Sequence, residues 1–244
     1  SHYGSRDEGP KWAMAGRSLA KLEEVRDLIG APASTPLVVA NADDSADLEA
    51  MCARTRVIIT TVGPYQLYGP QLVAACAKTG TDYVDLCGEP AWMREMIDAH
   101  DDAAKASGAR IVFSCGFDSI PFDLGVWFLQ QEAVKTHGKP APRVKGRVRK
   151  MQGGASGGTI ASLTETMKAA AKNPKIIGIL KSSFGLTPGF EGPAQPSGLM
   201  PEYDSATGTW NICVLGSKSS SNFLRKLCCP LCLMPSKDRR INIL

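Results

Sequence analysis

Histidine is scarce in this chain: its 244 residues include only His2, His100 and His137, none at the end of a predicted strand. A serine or cysteine nucleophile needs a base of that kind beside it, so the shortage argues against hydrolase chemistry. Long apolar runs are also missing. No stretch approaches eighteen consecutive apolar residues, and the opening residues are polar and glycine-containing, so neither a spanning helix nor a signal peptide is expected and the default compartment is cytoplasmic. Nor does one sign of charge dominate. The net charge is +4, with Lys145, Arg147, Arg149 and Lys150 as the only notable interior cluster, which argues against a nucleic-acid partner. A P-loop is missing as well, because no Gly-Lys-Ser/Thr follows the glycine-rich stretch Gly153-Gly154-Ala155-Ser156-Gly157-Gly158-Thr159. That stretch reads either as an anion-binding helix start or as a plain helix entry.

The eight cysteines do not read as a disulfide framework. Cys52, Cys76, Cys87 and Cys115 fall in predicted helices or beside strand ends, where a thiol serves as a small apolar filler. Cys228, Cys229 and Cys232 offer one C-x-x-C with no second pair and no nearby histidine, so tetrahedral zinc is incomplete and no metal is expected. Phe223, Leu224, Leu227, Leu231, Leu233 and Met234 flank them. Acylation at a lipid surface and a featureless tail are the two remaining readings.

What is present is α/β alternation. Val57-Ile58-Ile59-Thr60-Thr61-Val62 is a β-branched apolar run without polar alternation, the pattern of a strand buried on both faces of a parallel sheet. Gly63-Pro64 ends it, a helix carrying Leu72, Val73, Cys76 and Ala77 follows, and Gly80 precedes the next strand, Tyr83-Val84-Asp85-Leu86. The same rhythm predicts strands at 12–15, 37–40 and 110–114. It predicts helices over 19–29, 46–54, 92–107 and 124–134, with Trp92, Met93, Trp127 and Phe128 read as core. From 144 to 151 the pattern changes to alternation, which marks a half-exposed strand and a second domain beyond a linker near 136–143. A helix is predicted over 160–171.

The blocks TTVGPYQLYGPQLVAACAKTGTDYVDLCGE, CGFDSIPFDLG and GGASGGTIASL, in that order, resemble the saccharopine dehydrogenase-like oxidoreductases, including the trans-acting enoyl reductases. The resemblance runs over about 11–210 and takes in Pro201-Glu202-Tyr203-Asp204. It implies an α/β, Rossmann-like doubly wound parallel sheet over 1–136, then part of an α+β substrate domain over 137–210. A divergent cysteine-containing tail occupies 211–244. Two departures stand out. The family's opening strand and glycine-rich turn, of G-A-T-G-F-T-G type, have no counterpart before Ser1, and 211–244 leaves the family pattern, so a chain truncated at both ends is expected.

The resemblance places a nicotinamide nucleotide at the strand ends. Arg17, between Gly16 and Ser18, suits pairing with a 2′-phosphate, which points to NADP(H) rather than NAD(H), while a solvated arginine and a plain helix N-cap at Ser18 are the bland alternatives. Thr60, Thr61, Val62, Gly63 and Pro64 should line the middle of the cofactor, and Gly116 and Phe117 sit in a second exit loop. Tyr65, Glu89 and Asp118 are the catalytic candidates. Against them stand a tyrosine packed on its own helix and carboxylates that cap helices. The expected substrate is a lipid-related or other small carbonyl, enoyl or amino compound, with peripheral lipid-surface contact and a homodimer as further readings. The reading of a different class is a non-catalytic Rossmann remnant that binds partners or a lipid surface.

Overall fold

A computed structural model describes residues 9–117, 119–142, 144, 156–182, 184–187, 189–190, 202–204 and 208–211. Strands and helices alternate through the first part of the chain: β1 (Met14–Gly16), α1 (Leu19–Leu28), β2 (Leu37–Val39), α2 (Ser45–Cys52) and β3 (Val57–Thr60). There follow α3 (Tyr65–Tyr68), α4 (Pro70–Thr79), β4 (Asp82–Asp85), α5 (Pro90–Ser107), β5 (Ile111–Val112) and α6 (Ile120–His137). After these come α7 (Gly157–Lys172), α8 (Pro174–Lys181) and the antiparallel pair β6 (Glu202–Asp204) and β7 (Thr209–Asn211). The strand predicted at 144–151, the glycines of 153–155 and the tail cysteines lie outside the described residues.

Two parallel pieces make up the strand–helix alternation of the first part of the chain. β1 pairs with β2, and β3, β4 and β5 form a three-stranded parallel sheet in that order. Each β-to-β passage crosses by way of a helix, as parallel pairing demands. The helix ends follow from local chemistry: Ser18 and Asp44 cap α1 and α2 with side-chain oxygens, and Gly80 and Gly108 close α4 and α5 at φ of 76° and 83°, where a Cβ would be strained.

The core lies on one face of β3-β4-β5. Leu48 and Cys52 of α2, Leu72, Val73 and Cys76 of α4, and Trp92, Met93 and Met96 of α5 pack there around Tyr83, which is fully buried. Cys52 and Cys76 meet with sulfurs 3.6 Å apart, and Cys87 is buried as well, in keeping with thiols used as fillers. The expectation of a two-sided buried strand at 57–62 is corrected. Ile58 and Thr60 turn to the core, but Val57 and Ile59 are 44% and 76% exposed, because the helices cover only the opposite face of β3 and no described strand pairs with its free edge.

Two further expectations change. The single helix after Gly63-Pro64 is divided into α3 and α4 at Gly69-Pro70, where proline supplies the first turn of a new helix. Trp92 and Met93 are core, but Trp127 and Phe128 are 45% and 57% exposed, since α6 packs little against the other described elements.

Candidate functional site

The site is built where β3, β4 and β5 end. Thr60 closes β3 with its hydroxyl accepting the Val62 amide (3.3 Å), and the chain then turns through a cis Gly63-Pro64 bond into α3. Thr61, Val62 and Gly63 face outward while Tyr65 is 4% exposed, so the turn presents small groups to solvent and buries its aromatic residue. The Tyr65 ring stacks at a tilt on Trp92 (5.6 Å between centroids). Its hydroxyl donates to the Thr60 carbonyl (3.3 Å) and accepts the Leu86 amide (3.5 Å). Burial pushes this phenol up to about 12. Tyr65 is therefore a buried wedge between two strand exits, packed on α5 and not, as the plainer alternative had it, on its own helix.

Glu89 follows β4 and is 2% exposed. Its two carboxylate oxygens accept the backbone amides of Tyr65 and Gln66, each at 2.9 Å. This is capping across 24 residues of sequence rather than on its own helix α5, where Glu89 makes no side-chain cap. Asp118 lies outside the described residues.

Asp85, Tyr83 and Ser114 were not among the sequence candidates, and they tie the β4 and β5 exits together. The buried Asp85 carboxylate accepts the Cys87 amide (3.0 Å), the Ser114 amide (2.8 Å) and the Tyr83 hydroxyl (2.8 Å). Burial still raises its pKa above the ordinary carboxylate value, the three donors offsetting only part of that effect. Ser114 holds a left-handed backbone (φ 61°) and donates its hydroxyl to the Cys87 carbonyl (2.6 Å). Strain of that kind persists when surroundings over-determine it, and it gathers at functional loops. The one signal in the sequence is an aspartate inside the predicted strand Tyr83-Val84-Asp85-Leu86.

Beyond β5, Gly116 lies against Leu86, where a Cβ would approach the Leu86 Cβ to 3.1 Å, and Phe117 is 62% exposed with its ring edge on Phe122. Thus Thr60 to Tyr65, Leu86 to Glu89 and Ser114 to Phe117 form one connected rim. Helix α7 reaches the same rim. The Gln66 side-chain amide donates to Thr166 Oγ1 (3.4 Å), and Ser162 Oγ lies 3.8 Å from the position a Cβ on Gly63 would take. Ser162 lies in the block GGASGGTIASL that carries the resemblance, and Thr166 lies outside it.

Gly16, Arg17 and Ser18 stand at the end of β1, in the other parallel piece, and no hydrogen bond among the described residues joins them to the rim. Ser18 caps α1 by accepting the Lys21 amide (3.4 Å). Arg17 is exposed, and no carboxylate among the described residues pairs with it. A free guanidinium beside a strand end fits the 2′-phosphate of NADP(H), for which a carboxylate would be repulsive.

Comparison with known proteins agrees with this chemistry. Residues 3–112 match the saccharopine dehydrogenase NADP binding domain. The chain is 45% identical over 188 residues to a trans-acting enoyl reductase of Mycobacterium ulcerans, covering 76% of this chain and 45% of that protein. It is 43% identical over 198 residues to a putative trans-acting enoyl reductase of Mycobacterium tuberculosis, covering 80% and 47%. The chain thus spans about half the length of these curated relatives. Among solved structures, apo saccharopine dehydrogenase (L-Glu forming) from Saccharomyces cerevisiae superposes with a TM-score of 0.44 at 19% identity, over 56% of this chain and 28% of that one. Residues 3–112 thus match a saccharopine dehydrogenase-type NADP binding domain, and over more than two thirds of its own length the chain is similar to trans-acting enoyl reductases.

Proposed function

We propose that this chain is the nucleotide-binding portion of an NADP(H)-dependent oxidoreductase that acts on a lipid-related enoyl or carbonyl substrate. The observation that carries the cofactor reading is Arg17, exposed and unpaired among the described residues at the end of β1 within the NADP-binding domain. The relatives' description as enoyl reductases supports the substrate class. NADPH would supply the hydride. The protein's part is to hold the nucleotide, orient the substrate and exclude water.

In this reading Arg17 and the start of α1 take the 2′-phosphate and ribose, with Gly16 and Ser18 shaping the approach. Thr60 to Pro64 lie along the middle of the cofactor, and Gly116 and Phe117 face the substrate side. Tyr65 and Glu89 serve the architecture of the turn, which leaves Asp118 as the group to orient substrate or move a proton. Residues 1–136 form the nucleotide unit and 137–210 the beginning of the substrate unit.

Thermal unfolding with and without millimolar NADPH or NADH, in the wild type and Arg17→Ala, tests the cofactor reading. A nucleotide at a hundredfold excess over its dissociation constant stabilises by about 2.7 kcal/mol. The expected result is a larger midpoint shift with NADPH than with NADH, a preference that Arg17→Ala removes. Equal shifts, or a preference that survives Arg17→Ala, would refute it. The open face of β3, with Ile59 76% exposed, favours the second reading, a remnant that associates through apolar surface and ignores nucleotide. Absence of any nucleotide shift together with self-association would support it.

A further inference from the structure

We propose that Glu89 is a positioning residue for the nucleotide-facing turn, its carboxylate filling the start of α3 and holding Thr61, Val62 and Gly63 in place beside α7. This rests on the reading of that turn as a cofactor contact. A carboxylate that is 2% exposed would be costly to bury alone, and no lysine or arginine among the described residues pairs with Glu89. It is satisfied instead by two charge-assisted bonds, one oxygen to each of the Tyr65 and Gln66 amides. These amides have no nearer partner. Pro64 precedes them and offers neither an amide hydrogen nor a side-chain cap.

Two consequences follow for the site. The start of α3 is already occupied by an internal carboxylate, so the turn meets the nucleotide through its outward residues, Thr61, Val62 and Gly63, and not through these amides. The clamp also fixes the far end of the turn while Thr60 fixes the near end, by accepting the Val62 amide on its hydroxyl and the Tyr65 hydroxyl on its carbonyl. Gln66, held at its own amide by Glu89, reaches across to Thr166 of α7. One side chain therefore ties the β4 exit, the β3 exit and α7 into a single arrangement. No single change elsewhere removes both amide partners at once.

The test compares Glu89→Gln and Glu89→Ala with wild type and with Leu48→Ala, a core variant on α2 that loses packing but removes no hydrogen bond of the turn. The Gln side chain keeps one acceptor but sets an amide NH2 against the second backbone donor. Two quantities are read well below the unfolding midpoint: the NADPH dissociation constant by nucleotide fluorescence, and amide hydrogen exchange across 61–68. Glu89→Gln is expected to weaken NADPH about tenfold or more, and Glu89→Ala further, with faster exchange at Tyr65 and Gln66. Leu48→Ala should lower the midpoint and leave NADPH affinity unchanged. Unchanged NADPH affinity in both Glu89 variants would overturn the positioning role and leave a purely structural clamp. Should Glu89→Ala fail to fold, the Gln variant decides alone. If the wild type itself does not bind NADPH, the nucleotide reading fails, and exchange then judges the clamp: faster exchange at 61–68 in Glu89→Gln supports it, and unchanged exchange overturns it too.

Discussion

Replacing Gly69 by alanine sets two effects of opposite sign against each other. Gly69 joins α3 to α4 at φ −85° and ψ −34°, a right-handed conformation that alanine adopts freely. On backbone grounds alone the change stabilises by about 0.4–1 kcal/mol, through the entropy of the unfolded chain. The packing says otherwise. A Cβ there would lie 2.4 Å from Trp92 Cζ2, 3.0 Å from Trp92 Cη2 and 2.6 Å from the Tyr65 carbonyl oxygen. The indole cannot retreat easily, being 4% exposed between Tyr65 (5.6 Å) and Phe113 (5.4 Å). The carbonyl wall is backbone, and it also accepts the Gly69 amide at 2.7 Å. Overpacking of this kind costs about 1–3 kcal/mol, and a backbone wall argues for the upper end. The balance is a net loss of about 2 kcal/mol, or about 4–8 °C in the unfolding midpoint for a chain of this size. Differential scanning calorimetry reads it directly, with Gly125→Ala as the partner measurement. Gly125 lies inside α6, and a Cβ added there would meet nothing within 4 Å, so alanine should stabilise by up to about 1 kcal/mol. An unchanged or raised midpoint for Gly69→Ala would show that the aromatic packing yields, and would refute the argument that this glycine is required by close approach.

Asp123 offers a pH test. Burial lifts its carboxyl to about 6, and its buried Oδ1 has no hydrogen-bond partner. The folded state holds this proton more tightly than the unfolded chain, so the stabilising contribution is complete below the unfolded value near 4 and is lost as pH rises through about 6. Asp123→Asn should raise the midpoint at pH 7, by on the order of 2 kcal/mol, and do little at pH 4; an equal effect at both pH values counts against the shift. Asp85→Ala strips one acceptor from the Cys87 amide, the Ser114 amide and the Tyr83 hydroxyl together. Stranding buried donors costs about 1–3 kcal/mol for each, so a loss on the order of 3 kcal/mol or more is expected in urea unfolding. A loss below about 1 kcal/mol would mean that water or relaxation satisfies them.

Much of the fold is legible in the sequence because it is written in local periodicity. The 3.6-residue apolar spacing of 92–107 and the glycine stops at Gly80 and Gly108 predict α5 to within two residues at either end and the C-terminal end of α4. The break at Gly69-Pro70 is locally visible as a proline yet reads as continuous helix, since a proline in a first turn and a proline between two helices look alike in sequence. Trp127 and Phe128 show the limit of apolar pattern as a guide to burial: they sit on a helix that little else among the described residues covers.

The candidate site is legible by address and less so by role. Strand-end loops at 60–65, 86–89 and 114–117 follow from the βαβ rhythm, which places such loops at the ligand side of a parallel sheet. That Tyr65 is a buried wedge and Glu89 a clamp cannot be read along the chain, because each role depends on a partner about two dozen residues away. Locally, a glutamate before a proline looks like the cap of its own helix.

The sequence by itself determined the strand–helix alternation up to α6 apart from the break at Gly69-Pro70, placed a basic residue, Arg17, at the end of β1, and carried the resemblance to an NADP-binding domain. Periodicity, glycine placement and charge are properties of neighbouring residues, and they survive being read along a line. Tertiary structure alone decided which carboxylates are spent inside the protein. Whether Glu89, Asp85 or Asp123 is satisfied, shared or stranded is settled by which backbone amides arrive beside it once the β3, β4 and β5 exits meet, and the energy of a buried charge depends almost wholly on those partners.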